Sequence, residues 1–316
     1  MTGPPPAVAA IRCAVRDCLV DLAAGTPVCV ALSGGPDSVA LLAGAAFLLP
    51  GAVTALVVDH GWHPASAQVA AAAATRARDL GTAARVLAAP APRAEAAARS
   101  ARYDALACAA ERLGAPVILL GHTRDDQAES VLLGLLRGSG PRSLGGMASR
   151  RGAYRRPLLH LPRSTTVAAC AAQGLAPHAD PANDDLNYAR VRVRREVLPM
   201  LATALGRDVA TNLARTAELL RADTDLLDQL ARSAADELAH PDGFAVAGLL
   251  ALPAALRRRV LHDIAPGLRL AHVAAMDALV TNWHGQGPVA LPDGARAVRE
   301  HGRIRLVCGN LPAGPV

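Results

Sequence analysis

The chain has 316 residues, of which 52% are hydrophobic, 2% aromatic and 19% charged, with a formal net charge of +6. That length allows two domains, with cores built from Leu, Val and Ala rather than from rings. No run of about 18 uncharged apolar residues is present, which excludes a membrane helix. The cysteines at 13, 18, 29, 108, 170 and 308 are scattered without a Cys-x-x-Cys pair, which argues against a disulfide framework and against a zinc or iron–sulfur site.

The first residues, Met1-Thr2-Gly3-Pro4-Pro5-Pro6, lack a basic region followed by an apolar stretch. No secretory signal is expected, and the expected address is cytoplasmic. A helix is predicted over 7–24. The apolar run Val28-Cys29-Val30-Ala31-Leu32 predicts a buried strand. A Ser-Gly-Gly turn follows, then a helix over 38–49 that is apolar nearly all round and stops at Pro50-Gly51. Further strands are predicted over 53–58, 84–88 and 117–120, alternating with helices over 65–80, 94–113 and 125–136. Residues 137–163 hold seven arginines and no acid, and are rich in Gly, Ser and Pro. A short helix is expected over 164–174, a turn-rich stretch over 178–188 and a basic helix from 190. A long amphipathic helix is expected over 212–240, helices near 249–264 and 271–283, and short strands at 289–291 and 304–307.

The alternation of continuous apolar strands with helices predicts an α/β fold, a parallel sheet covered by helices on both faces. A mostly helical C-terminal domain should follow, with the boundary placed at 205/206. Ligands of such sheets bind beyond the carboxyl ends of the strands. Polar clusters at 33–38, 59–63 and 122–129 follow three of the strands and should gather on one edge.

Gly34 and Gly35 let backbone N–H groups approach a polyphosphate, and the next helix aims its positive end at the same place. Ser33 and Ser38 add hydroxyls. Asp37 beside an anion suits Mg²⁺ bridging carboxylate and phosphates; compensation of the helix N-terminus is the plainer reading. The chain contains no lysine, so a P-loop kinase or GTPase motif is excluded. Asp126 and Glu129 stand three apart and share a helix face. Such a pair could hold Mg²⁺, bind an ammonium, or lower the proton demand on an amine; for Asp125 and Asp126 the alternative is simple helix capping. His60 and His122 follow strand ends, where a phosphate contact, proton transfer or a purely structural hydrogen bond are all open.

Ser33-Gly34-Gly35-Pro36-Asp37-Ser38 after a strand resembles the PP-loop of the N-type ATP pyrophosphatases, which cleave ATP between the α and β phosphates. Five further stretches are similar to the tRNA(Ile)-lysidine synthetases within that superfamily. They are Val57-Val58-Asp59-His60-Gly61, Ala101-Arg102-Tyr103, the 121–140 segment with Asp125-Asp126-Gln127-Ala128-Glu129, Arg156-Pro157-Leu158, and Asp180-Pro181-Ala182-Asn183 with Tyr188-Ala189-Arg190 and Arg192-x-Arg194. The resemblance covers about residues 28–200 and stops there. Trp62-His63 replaces the family's Leu-Arg, Thr123 stands where a second histidine is common, and Val191 replaces an asparagine. These departures bear on RNA contacts rather than on the ATP site.

The resemblance implies ATP-dependent adenylation of the C2 oxygen of the wobble cytidine of tRNA(Ile), followed by displacement of AMP by the ε-amine of lysine. It implies a nucleotide site at Ser33, Gly34, Gly35, Pro36, Asp37, Ser38, His60 and His122, with Mg²⁺ on Asp37. Asp37, Asp126 and Glu129 take the catalytic roles. Substrates fall to Asp125, Asp126, Glu129, Arg137, Arg190, Arg192, Arg194 and Arg195, with Asp126 and Glu129 favoured for lysine. The expected partners are ATP, Mg²⁺, L-lysine and tRNA(Ile) with a CAU anticodon. No membrane is expected, a homodimer is an allowed assembly, and residues 206–316 have an RNA-binding role. The acid-free arginine stretch and the arginines at 190–195 are the candidate RNA surface. The missing cysteine pairs suit an amine nucleophile better than sulfur. Two other readings stay open: a PP-loop enzyme acting on a small molecule, such as an amide-forming synthetase, and a non-catalytic ATP-binding module.

Overall fold

The apolar runs of the N-terminal part form strands β1 (Val28–Ala31), β2 (Val53–Asp59), β3 (Ala83–Ala88) and β4 (Val117–Leu119) in a computed structural model that describes residues 3–59, 61, 66–89, 95–178 and 184–307. Two short strands, β5 (Arg150–Arg151) and β6 (Tyr154–Arg155), extend the sheet to the order β3-β2-β1-β4-β6-β5. Neighbours run parallel except at the β5–β6 edge. Successive side chains of a strand point to opposite faces. Val28, Val30, Val117 and Leu119 accordingly join one core, and Cys29, Ile118 and Leu120 another. Both faces are apolar because both are covered, and that is why the strands read as unbroken hydrophobic runs.

The first core packs α1 (Pro6–Cys18), α2 (Pro36–Leu48), α3 (Ser66–Asp79) and α7 (Arg163–Ala172) against the sheet. The second packs α4 (Glu95–Arg112) through Leu106, Ala109 and Ala110. Between them in sequence lie α5 (Arg124–Leu136) and the single turn α6 (Pro141–Leu144). After α7 the chain forms α8 (Ala189–Arg192), one wide π turn (Val193–Val197), α9 (Leu198–Leu205) and α10 (Val209–Leu238).

Two differences from the sequence reading share one cause. α1 stops at Cys18 rather than running to 24, and arginines of the 137–163 stretch, expected as an RNA surface, bond within the protein itself. The Cys18 carbonyl accepts hydrogen bonds from Arg155 Nη1 at 2.7 Å and from Arg150 Nη2 at 3.0 Å, and Asp21 accepts from Arg155 Nη2 at 2.9 Å. The guanidiniums satisfy carbonyls that a helix end leaves open. The hydrogen bond from Arg155 holds the Asp21 carboxyl down to about 2.

The chain divides into two compact units, Met1–Arg221 and Ala222–Val316, so the division falls within α10. The sequence reading sets the boundary earlier, near Gly206, which ends α9 in the left-handed conformation at φ 60°. The second unit contains α11 (Val246–Ala251), α12 (Ala254–Asp263) and α13 (Leu270–Thr281). Beside them is an antiparallel sheet of β7 (Phe244–Ala245), β10 (Arg303–Val307), β9 (Arg296–Glu300) and β8 (Val289–Ala290), in that order. Leu249, Leu261, Met276, Leu279 and Ile304 fill its core. Asp277 receives Arg257 Nε at 2.6 Å and Arg258 Nε at 2.9 Å. Burial opposes the charge on Asp277, but these bonds outweigh it and keep the carboxyl below its ordinary range.

Candidate active site

One residue, Leu32, separates β1 from the Ser-Gly-Gly turn, and α2 starts at Pro36 directly after it. Gly34 has φ +89°, a backbone that side chains with a Cβ rarely adopt, so glycine is required there by conformation. Its carbonyl accepts the His178 N–H at 2.8 Å. Ser38 is buried, and its hydroxyl closes the turn: Oγ donates to the Gly35 carbonyl at 3.0 Å and accepts the Ser33 N–H at 3.2 Å. The loop is thereby shaped before any ligand arrives. The end of β4 leans on the same turn, since a Cβ at Gly121 would lie 3.1 Å from the Asp37 carbonyl and from the Ser38 Cα.

The turn opens onto a cavity of about 660 Å³, within the usual range for a small-molecule site. Leu56, Val58, Leu106, Leu120 and Tyr103 form an apolar wall, and Asp37, Asp126, Arg163, Arg190, Arg194 and His122 a polar one. The strand-end clusters at 33–38 and 122–129 therefore meet, as topology requires. His60 lies outside the described residues, as do 180–183.

Asp126 divides its work between two oxygens. Oδ2 accepts the Thr123 N–H at 2.8 Å and the Thr123 hydroxyl at 3.0 Å, closing the first turn of α5. Oδ1 faces the cavity and accepts Arg163 Nη2 at 2.8 Å and Arg190 Nη2 at 3.1 Å. Glu129, on the same face, has 0% side-chain exposure and accepts Arg190 Nε and Arg194 Nε, each at 2.6 Å. Burial works against the Asp126 charge, but Arg163, Arg190 and the Thr123 N–H outweigh it and hold the carboxyl below its usual range. Arg190 and Arg194 stand four residues apart in helical backbone, so both reach Glu129 from one side.

Asp37 binds Arg163 Nε through Oδ2 at 3.0 Å, and Thr166 Oγ1 donates to its Oδ1. Burial pushes the Asp37 carboxyl upward, with Arg163 and Thr166 pulling the other way. Burial also lowers the His122 imidazole to about 4, so it stands neutral in the site. Its Nδ1 is buried with no hydrogen-bond partner among the described residues.

Other predicted residues serve different ends. Asp125 Oδ2 accepts the Arg163 N–H at 2.8 Å and so fixes the start of α7. Arg192 bonds the carbonyls of Leu186 and Asn187 at 2.6 and 2.9 Å, and Arg195 pairs with Asp184 at the cavity rim. Arg137 caps the end of α5 and is exposed. Among the arginines of 137–163, Arg150, Arg155, Arg156 and Arg163 are engaged with the protein itself. Sequence reasoning missed Arg163 and Thr166. The local signal was a basic residue opening a helix right after Pro162, with a hydroxyl one turn on.

Comparison with known proteins bears on this geometry. A family model described as PP-loop domain matches residues 11–201, and one described as TilS substrate binding domain matches residues 244–305. The tRNA(Ile)-lysidine synthase of Salinispora tropica is 52% identical, over 96% of this chain and 97% of that protein. The tRNA(Ile)-lysidine synthase of Thermobifida fusca is 48% identical, over 96% of this chain and 98% of that protein. Among solved structures, the U34-tRNA thiolase NcsA from Methanococcus maripaludis aligns with a TM-score of 0.57 at 16% identity, covering 68% of this chain and 80% of its own, a likeness of fold alone.

Proposed function

The chain belongs to the tRNA(Ile)-lysidine synthase family, and from that membership we propose how its own residues carry the family's reaction. It is a ligase that forms a C–N bond, using ATP to convert the wobble cytidine of tRNA(Ile) to lysidine. The observation that carries the assignment of residues is one cavity lined by both the glycine-built phosphate turn and Asp126, with Glu129 buried on the same helix face.

In this reading the adenine lies against Leu56, Val58, Leu106, Leu120 and Tyr103, and the polyphosphate meets the 33–38 turn and the start of α2. The C2 oxygen of cytidine attacks the α-phosphorus, the bond to the β-phosphate oxygen breaks, and pyrophosphate leaves. The lysine ε-amine, as the neutral base, then attacks C2, and the C2–O bond breaks to release AMP. Wobble bases lie in a single-stranded loop, which lowers the cost of turning one into a pocket. Asp126 Oδ1, at the cavity, takes the lysine α-ammonium, and Glu129 joins it only where Arg190 or Arg194 turns aside. Neutral His122 offers a hydrogen bond to the nucleotide without adding charge.

A divalent cation suits the site, because a cation already stands between two carboxylates there: Arg163 bridges Asp37 and Asp126 at 3.0 and 2.8 Å. Asp37 would hold Mg²⁺, which when bound neutralises charge developing on the leaving pyrophosphate. Exposed Arg137 contributes to RNA binding, and we extend that role to residues 206–316. We place the reaction in the cytoplasm, where ATP and tRNA meet.

The test is pyrophosphate release from ATP with a tRNA(Ile) transcript and no lysine. Release that requires the RNA supports the assignment. ATP turnover with a small acid and no RNA would overturn it in favour of a small-molecule synthetase.

A further inference from the structure

Asp37, Asp126 and Glu129 face three guanidiniums, and the bonding among them is uneven. Arg163 touches all three acids, through Nε to Asp37 at 3.0 Å, Nη2 to Asp126 at 2.8 Å and Nη1 to Glu129 at 3.7 Å. If Arg163 swung away, Glu129 would keep Arg190 and Arg194 at 2.6 Å, and Asp126 would keep Arg190 at 3.1 Å together with the Thr123 N–H and hydroxyl. Asp37 alone would lose its cation and retain only the Thr166 hydroxyl. Arg163 is therefore the one arginine of the three whose departure uncovers a carboxylate, that of Asp37 beside the phosphate turn, since the loss of Arg190 or Arg194 would leave every acid another guanidinium.

We propose that Arg163 holds the place of the divalent cation in the nucleotide-free chain and becomes a phosphate-binding catalytic residue once magnesium–ATP is bound. This rests on the reading of the cavity as an ATP site. A cation arriving at Asp37 repels the guanidinium, and the triphosphate brings the acceptors it needs within the same cavity, which Arg163 lines together with Ser33, Gly35 and Ser38. Its backbone stays where it is, because the Asp125 carboxylate pins the Arg163 N–H at 2.8 Å. Only the side chain, which is 21% exposed, needs to turn. A guanidinium on the leaving pyrophosphate stabilises the charge that appears there during adenylation. Leaving Asp37 at the same moment lets one residue match cation binding to nucleotide binding.

The test uses the full chain and Mn²⁺ as the probe, followed by the EPR signal of the free ion in the absence of nucleotide. The wild type should leave the signal undiminished, because Arg163 fills the place. Arg163→Gln should bind Mn²⁺ without nucleotide, since Asp37 is then uncompensated, and Arg163→Lys should stay near the wild type. In pyrophosphate release with tRNA, Arg163→Gln should lose about 10-fold to 100-fold in kcat/KM for ATP, with partial rescue in Arg163→Lys. Thermal melting separates these readouts from misfolding. Nucleotide-free Mn²⁺ binding by the wild type, or a folded Arg163→Gln with neither gain of Mn²⁺ nor loss of turnover, overturns the proposal. A wild type that binds ATP but adenylates no RNA instead refutes the underlying function.

Discussion

Glu129→Gln should destabilise the first unit by about 2–3 kcal/mol, chiefly through the arginines it leaves without a partner. The substitution keeps shape and removes charge. Glu129 is fully buried and holds Arg190 Nε and Arg194 Nε at 2.6 Å. The amide nitrogen of glutamine would present hydrogens to a guanidinium that has only hydrogens to offer. Arg190 keeps Asp126 at 3.1 Å, but the nearest remaining acid to Arg194 is Asp126 at 3.8 Å. Breaking a buried pair costs about 3–5 kcal/mol. Because the arginine side chains are 38% and 25% exposed and can turn to water, the cost falls to the lower end of that range or just below it. In a unit of this size the melting temperature should fall by about 5–10 °C. Calorimetry on the full chain reads the shift, and Arg194→Ala alone and with Glu129→Gln completes a cycle. The double variant should cost about 1 kcal/mol less than the sum of the singles. A single variant that melts within about 1 °C of the wild type, or strict additivity in the cycle, would refute the buried cluster as described.

Two further expectations follow from named groups. His122 is held at about 4 against an ordinary value of 6.5, so the unfolded chain binds more protons between those values; stability is full above 6.5 and is lost as the pH falls towards 4. Urea midpoints near pH 5 and pH 7.5 should differ less in His122→Gln than in the wild type, and an unchanged difference would show that another group titrates. Arg137→Ala should leave the melting temperature within about 1 °C and lower the slope of log affinity for tRNA against log salt by about one, as expected for an exposed phosphate contact; an unaltered slope removes Arg137 from the RNA surface.

The core of the first unit was legible because β1, β2 and β4 are covered on both faces and α2 is apolar all round, so local composition carries the signal. The phosphate turn was legible for the same kind of reason: Gly34 needs its positive φ and Ser38 closes the loop within five residues. β5, β6 and the C-terminal end of α1 were not, since they depend on Arg155 meeting Asp21 and Cys18 from far along the chain. Strand β9 was missed because Arg296-Ala297-Val298-Arg299-Glu300 carries charge at both ends and buries only its middle. The acids of the site were found by motif, whereas their partners were not. Arg190 and Arg194 read as an RNA surface, and only the fold turns them onto Glu129. Arg163 pairs with Asp37 across 126 positions, a relation no local pattern encodes.

Joining lysine to a tRNA base is the activity on which all the residue roles above depend. The direct measurement is transfer of labelled lysine, with ATP and Mg²⁺, to a tRNA(Ile) transcript carrying the CAU anticodon, beside a transcript with uridine at the wobble position. Label should appear in the first RNA and not in the second. Folded protein that leaves both unlabelled, or labels both alike, would contradict it.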